Sequence, residues 1–129
     1  MTKKDLIDYW VKTSQHDFNT MEHLFEKRDY LWALFIGHLV IEKLLKGYYV
    51  KQVDRNTPYT HDLLRLAEKA SLELTTEQKV FLDKLNDFNI EARYPDRKMA
   101  LYKKCTRKFS TPYFRKIKEF RQWLLKKIE

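Results

Sequence analysis

The chain has 129 residues, the usual length of one domain, and 43% of them are hydrophobic, which is enough to build a core. With only two Gly and three Pro there is little material for tight turns, which argues against a many-stranded β fold. The single cysteine, Cys105, excludes an internal disulfide and fits a reducing cytoplasm. The first ten residues carry charge where a signal peptide would be apolar, so we predict a cytoplasmic protein with one domain over residues 1–129.

The formal net charge is +8, and the last third of the chain carries more than this whole surplus. From residue 93 onward the acidic residues are Asp96, Glu119 and Glu129. The basic residues there are Arg93, Arg97, Lys98, Lys103, Lys104, Arg107, Lys108, Arg115, Lys116, Lys118, Arg121, Lys126 and Lys127. This distribution favours a polyanion partner, nucleic acid above all, although a basic face that is only solvated would have the same composition.

The first half of the chain predicts two long helices joined by a three-residue connection, which makes them antiparallel. Thr2 can cap the first, from about Lys3 to Lys27, and Asp29 can cap the second, over residues 30–52. The second helix has one apolar stripe of Trp32, Phe35, Ile36, Leu39, Val40, Leu44 and Tyr48 and another of Leu31, Leu34, Ile41 and Leu45.

A helix that is apolar over more than half of its circumference is buried on more than one side, so we predict that the second helix is the centre of a bundle. Glu42, Lys43 and Lys46 interrupt its apolar run, and charges at mid-bilayer are expensive, so it is not a membrane span.

The second half predicts shorter elements. Thr57 and Pro58 can open the next helix, and HDLLRLAEKA (residues 61–70) predicts a short third helix in which Leu63, Leu66, Ala67 and Ala70 point inward. Thr75 and Gln78 form a capping box for a fourth helix over about residues 76–89, with Val80, Phe81, Leu85 and Phe88 inward.

Pro95 forces Tyr94 out of the α region, so the fourth helix ends by there. Residues 96–110 have weak periodicity, and MALYKK can add a helical turn or two. Thr111 and Pro112 predict the start of the last helix, over residues 112–128. The fold class is therefore all-α, an up-and-down four-helix bundle with an additional short helix.

Residue spacing by itself points to no catalytic or metal centre. Gly37 and Gly47 both fall inside the second helix, so no Gly-rich phosphate loop can form. No Cys/His set has zinc spacing, and no Glu-x-x-His repeat is placed for a di-metal site. We therefore predict no metal ion and no cofactor.

Three short motifs, taken in order, carry more information. They are Phe35-x-x-His38-x-x-x-Glu42-Lys43-x-Leu45-Lys46, then His61-Asp62-Leu63, then Ala92-Arg93-Tyr94-Pro95. Their order and separation resemble the HEPN domain over nearly the whole chain. The resemblance implies a helical bundle that forms two-fold dimers and is often paired with a minimal nucleotidyltransferase in toxin–antitoxin systems. Some members bind nucleotides, and many are metal-independent RNases that pair Arg and His of an Arg-x4–6-His motif across the dimer.

The sequence departs from that motif after Arg93. The residues at the expected histidine positions are Arg97, Lys98, Met99 and Ala100, and no histidine follows His61 anywhere in the chain. The family reaction needs a general base for the ribose 2′-OH, and imidazole suits that role near neutral pH. Lysine replaces it poorly unless its pKa is strongly depressed. We therefore identify no catalytic residue.

The residues predicted to bind a nucleotide or RNA phosphate are Arg93, Tyr94, Arg97, Lys98, Lys46 and His61. Arg93 ranks first, because a guanidinium has forked donors that match phosphate. Structural roles stay open: Glu42 and Lys46 can form a helix ion pair, Glu42 can hold Arg93 or the His61 turn, and the His61 ring can cap a neighbouring carbonyl.

The leading hypothesis is a HEPN-like nucleotide- or RNA-associated binding module that partners a nucleotidyltransferase in a toxin–antitoxin-type pair. The alternative is an active metal-independent RNase with a remodelled site, in which Arg93 holds the phosphate and His61 or Lys98 is the base. A third is a purely structural helical partner. Three tryptophans and the strongly apolar second helix predict a homodimer.

Overall fold

Six α-helices make up most of the chain, and the structure, a computed structural model, describes all of residues 1–129. They are α1 (Lys3–Glu26), α2 (Tyr30–Gln52), α3 (Leu63–Lys69), α4 (Thr76–Glu91), α5 (Pro95–Lys104) and α6 (Arg107–Ile128). The predicted all-α bundle is confirmed, and the first two predicted helices agree with α1 and α2 to within one residue at each end.

The centre of the bundle is α2, as its apolar residues predict. It packs against α1 and α6 along its length and also contacts α3, α4 and α5. One predicted stripe is buried throughout, since Leu31, Leu34, Ile41 and Leu45 are each at most 3% exposed. The other stripe is buried at Val40 and Leu44 and only half-buried at Trp32, Phe35, Ile36, Leu39 and Tyr48. Neither α2 nor any other helix has the length and apolar character needed to cross a membrane.

Both long neighbours of α2 reach its backbone at Gly37. A Cβ atom at this position would lie 2.5 Å from Ile117 Cδ1 of α6 and 3.1 Å from Met21 Sδ of α1. Glycine inside a helix costs about 0.5–1 kcal/mol relative to alanine, because it loses more backbone freedom on folding. The close packing of three helices at this point explains its presence.

The side-chain caps predicted at the helix starts are confirmed at two places and wrong at a third, where α2 still begins at Tyr30 as predicted. Thr2 and Thr75 each accept a hydrogen bond from the backbone N–H three residues on, and each forms a capping box. Asp29 makes no such bond with α2. Arg28 is left-handed (φ 67°) and the Asp29 N–H donates to Leu24 O, so the tight connection holds Asp29 at ψ 73°, outside the extended conformation of the other caps.

The third and fourth helices differ in detail from the prediction. α3 begins at Leu63 rather than near Thr57, because the Asp62 side chain accepts from the N–H groups of the first turn. Its predicted inward residues are all buried. In α4, Val80 is 57% exposed, and Leu82 is buried in its place.

The segment with weak periodicity forms α5, followed by the start of α6. As predicted, Pro95 sets the boundary, since Tyr94 is extended (φ −109°, ψ 125°). The predicted start of the last helix at Pro112 is wrong, because Thr106 caps α6 through Phe109 N and Pro112 lies inside the helix. The Phe109 ring packs against Phe88 of α4, and this tertiary contact holds the extra turns in place.

Candidate functional site

Three polar residues of the predicted motif share one face of α2. His38, Glu42 and Lys46 are spaced four apart, so their side chains lie above one another along the helix. His38 and Glu42 are buried, and the Lys46 side chain is only 14% exposed. The Lys46 ammonium also lies 5.2 Å from the centre of the Trp10 ring of α1. A buried carboxylate requires charged or donating partners, and two are present here.

The Glu42 carboxylate is shared between Lys46 and His61. Lys46 Nζ donates to Oε2 at 3.0 Å, and His61 Nδ1 lies 2.9 Å from Oε1. An ionised carboxylate can only accept, so His61 Nδ1 carries the proton, and the neutral ring then has its lone pair on Nε2. The His61 side chain is 59% exposed, whereas that of Glu42 is 5% exposed. The result is an imidazole oriented from below by a buried carboxylate, with its outer edge in solvent.

His38 lies beneath this pair and holds the backbone of the same loop. Its Nε2 is 2.9 Å from the carbonyl oxygen of His61, which can only accept, so Nε2 is the protonated nitrogen. Its Nδ1 is 3.8 Å from Glu42 Oε1, too far for a hydrogen bond, and has no other partner. Burial lowers the pKa of His38 from its ordinary value of 6.5, and the Glu42 carboxylate opposes that shift only in part.

The loop is also held from α4. Asn86 accepts from the Leu63 N–H at 3.0 Å and donates to Asp62 Oδ1 at 2.9 Å. The same Asp62 oxygen accepts from the first turn of α3. His61 is therefore held by α2 directly, and the two residues that follow it, Asp62 and Leu63, are held by α4.

The other predicted site residues form a second group, the α4–α5 corner, which consists of Arg93, Tyr94, Arg97 and Lys98. The Arg97 guanidinium lies 5.7 Å from the centre of the Tyr94 ring, and Lys98 Nζ lies 4.5 Å from the centre of the Trp32 ring of α2. Arg93 and Arg97 are exposed, and neither guanidinium is within 4.0 Å of a carboxylate. Tyr94 is 55% exposed.

The structure thus separates the predicted residues into two groups. Lys46 and His61 meet at Glu42, and no hydrogen bond or ion pair joins them to the α4–α5 corner. Arg93 follows Asn86 by seven residues and lies past the C-cap of α4 at Ala92, in the turn before α5. Of the structural roles left open, Glu42 holds the His61 turn and not Arg93. The idea that the His61 ring caps a carbonyl is wrong, because the ring binds the carboxylate and its backbone oxygen accepts from His38.

Sequence reasoning did not identify His38 and Asn86 as parts of the site. The spacing of His38 and Glu42 was a local signal for the first. Nothing local points to Asn86, whose partners are 23 and 24 residues away. No group of three or more His, Cys, Asp or Glu side chains is arranged to hold a metal ion.

The protein is thus a basic all-α bundle with two polar groups on its surface. One is the oriented imidazole of His61, and the other contains the Arg93 and Arg97 guanidiniums, which have no carboxylate partner. A sequence model of the HEPN domain matches residues 7–128, and the chain belongs to this family. Membership supports a role related to nucleotides or RNA. Comparisons with curated proteins and with solved structures gave no match.

The buried His38 predicts a pH-dependent stability. The unfolded chain binds a proton at about pH 6.5, whereas the folded chain with its lowered His38 pKa does not, so folding weakens as the pH falls below that value. Denaturant unfolding at pH 7.5, 6.5 and 5.5 measures this slope, which for one group reaches at most about 1.4 kcal/mol per pH unit. His38→Gln should reduce the slope, and the exposed His16→Gln should leave it unchanged. Equal slopes in wild type and His38→Gln would contradict the prediction.

Proposed function

We propose that this protein is a HEPN-type binding module that takes up a nucleotide or RNA phosphate at the α4–α5 corner. The observation that carries the proposal is the pair of exposed guanidiniums, Arg93 and Arg97, without a carboxylate partner. A phosphate would not have to displace an internal ion pair there. Forked guanidinium donors match its oxygens in two bonds at a time.

Aromatic residues at the corner support a ligand with a base as well as a phosphate. The Tyr94 ring is exposed and lies beside Arg97, so that a base can stack on the ring while the guanidinium faces the phosphate. Lys98 adds a third positive charge to those of Arg93 and Arg97, and its ammonium lies over the Trp32 ring of α2. Lys46 and His61, also predicted as ligand residues, lie apart from this corner and have no part in this proposal.

The partner proposed for the module is a minimal nucleotidyltransferase, in a cytoplasmic pair of the toxin–antitoxin type. The support is the resemblance to the HEPN family, which implies that such pairs are frequent. A nucleotidyltransferase reading frame beside this gene whose product co-purifies with the chain is the expected finding. A gene neighbourhood without one would argue against the pair.

A homodimer is proposed on the half-buried stripe of α2. Trp32, Phe35, Ile36 and Leu39 keep part of their apolar surface in solvent on the central helix of the bundle. A two-fold contact through such a patch would bury it on both copies at once.

A second candidate function, an RNase with a remodelled site, is favoured by one observation, the His61–Glu42 pair. His61 Nε2 would take the proton of a ribose 2′-OH, and the 2′-oxygen would attack phosphorus while the 5′-oxygen leaves with a proton from water. Glu42 would stabilise the imidazolium that forms. No hydrogen bond or ion pair joins Arg93 to the His61–Glu42 pair, which counts against this candidate within one chain.

The binding proposal predicts that Arg93→Ala weakens the affinity for a mononucleotide by about tenfold or more, since a hydrogen bond to a charged group contributes about 1.5–3 kcal/mol. Arg115→Ala, which removes an exposed guanidinium from α6, is the matched control and should change affinity little. Isothermal titration at low and at near-physiological salt measures both. Equal and small effects of the two variants would leave only non-specific charge.

The dimer predicts a sedimenting species of twice 15.9 kDa at micromolar concentration. Phe35→Lys together with Leu39→Lys should shift it to the monomer, because charge on the half-buried stripe opposes its burial. Circular dichroism controls for folding. A wild-type chain that sediments only as a monomer rejects the dimer.

The leading proposal predicts no cleavage of structured or unstructured RNA by the purified chain in EDTA, because general-base assistance is worth about 10²–10⁴-fold in rate. Gel assays would compare the wild type with Arg93→Ala, His61→Ala and the control His16→Ala. Cleavage that Arg93→Ala and His61→Ala abolish and His16→Ala preserves would establish the second candidate. Activity that survives all three variants would point to a contaminating nuclease.

A further inference from the structure

The first half of α6 has an open groove that neither polar group explains. Its volume is about 490 Å³, and we name it the α6 groove after the helix that supplies its lining: Thr106, Lys108, Phe109, Pro112, Tyr113 and Lys116. Two aromatic and two basic side chains line it together. This combination is typical of surfaces that bind single-stranded nucleic acid.

The aromatic floor of the groove is fixed from behind. Phe109 and Tyr113 are half-buried, with ring centres 5.3 Å apart. Each also meets the buried ring of Phe88 on α4 edge to face, at 6.0 Å and 5.0 Å. Because α4 holds both rings, their open sides stay in place and little side-chain freedom remains to be lost when a ligand binds.

The rim of the groove is positively charged and unpaired. Lys108 and Lys116 line the groove, and Lys104 Nζ lies 5.2 Å from the centre of the Phe109 ring. None of the three ammonium groups is within 4.0 Å of a carboxylate. They are free to neutralise phosphates on a chain whose bases lie on the aromatic floor.

We infer that the α6 groove binds a short single-stranded RNA segment, at a place distinct from the α4–α5 corner. This inference rests on the proposed function, which names a nucleotide or RNA as the ligand. It adds that the protein binds a single strand of several nucleotides and not only a mononucleotide. Stacking would be tolerant of sequence, since every base has a π-face. The lysines would make the affinity depend on salt through the release of counterions.

A neighbouring cavity shows where the polyanion site ends. It lies further along α6, is about 310 Å³ in volume, and shares Lys116 with the groove. Glu77 and Glu119 also line it, beside Phe120 and Trp123. These two carboxylates would repel phosphate, so the strand is confined to the end at Phe109 and Tyr113.

The test uses fluorescence anisotropy with a labelled oligouridine and two matched double variants of the full chain. Lys108→Gln with Lys116→Gln, the rim variant, removes the two rim lysines that line the groove, and Arg115→Gln with Lys126→Gln removes the same charge from the same helix outside the groove. We expect the rim variant to bind about tenfold more weakly and to lower the salt slope by about 1.4, since each phosphate contact to a single strand contributes about 0.7. The control should bind within about twofold of wild type.

Tyr113→Leu tests the floor without removing charge. Leucine still packs against Phe88, and we expect about fivefold weaker binding, in line with the measured contribution of one stacked base, at an unchanged salt slope. Circular dichroism and thermal unfolding of every variant show that the fold is kept.

The inference would be overturned if the rim and control variants lost the same affinity for oligouridine, or if neither the rim nor the floor variant lost any. It would also be overturned if a polyglutamate peptide competed as well as RNA does, because the partner would then be an acidic protein. A mononucleotide titration separates this inference from the proposed function. Mononucleotide binding that only Arg93→Ala weakens, with oligouridine binding indifferent to the groove, would refute the groove alone. Failure of the wild type to bind either ligand would refute both.

Discussion

The polar side of this bundle depends on the buried carboxylate of Glu42. Removing an ion from water costs several kcal/mol even after the protein relaxes, so the group must have a partner on each oxygen. Lys46 provides one from the next turn of α2, and His61 provides the other from a loop. The Glu42 carboxylate thereby joins α2 to the loop that precedes α3 and fixes the position of that loop.

The loop is fixed at its end by three side chains from two helices. His38 holds the carbonyl of His61, Glu42 holds its ring, and Asn86 holds the two residues that follow. The ring is therefore oriented before any ligand arrives, which is what proton transfer or a directed hydrogen bond requires. The α4–α5 corner is built in the opposite way, with exposed guanidiniums that have no carboxylate partner.

The excess of basic residues has a general and a local effect. Most of the charged side chains of the last third lie in solvent, where ions screen them beyond about 8 Å at physiological salt. They attract polyanions of any kind and raise the rate of encounter. In the proposed binding, selectivity comes from the places where charge is combined with fixed shape, and these are the α4–α5 corner with Tyr94 and Trp32 and the α6 groove with Phe109 and Tyr113.

The sequence by itself determined the helices whose signals are local. The capping boxes at Thr2 and Thr75, the apolar stripes of α2 and the break at Pro95 each involve residues a few positions apart, and the motifs on them were enough to identify the family. Tertiary structure decided what depends on residues far apart in the chain. α6 is capped by Thr106 and not by Thr111, because Phe109 packs on Phe88, and the loop ends at Asp62 because Asn86 binds it. The contact between His61 and Glu42 was also decided by tertiary structure. The two residues are 19 positions apart in the chain, and only the packing of the helices brings them together.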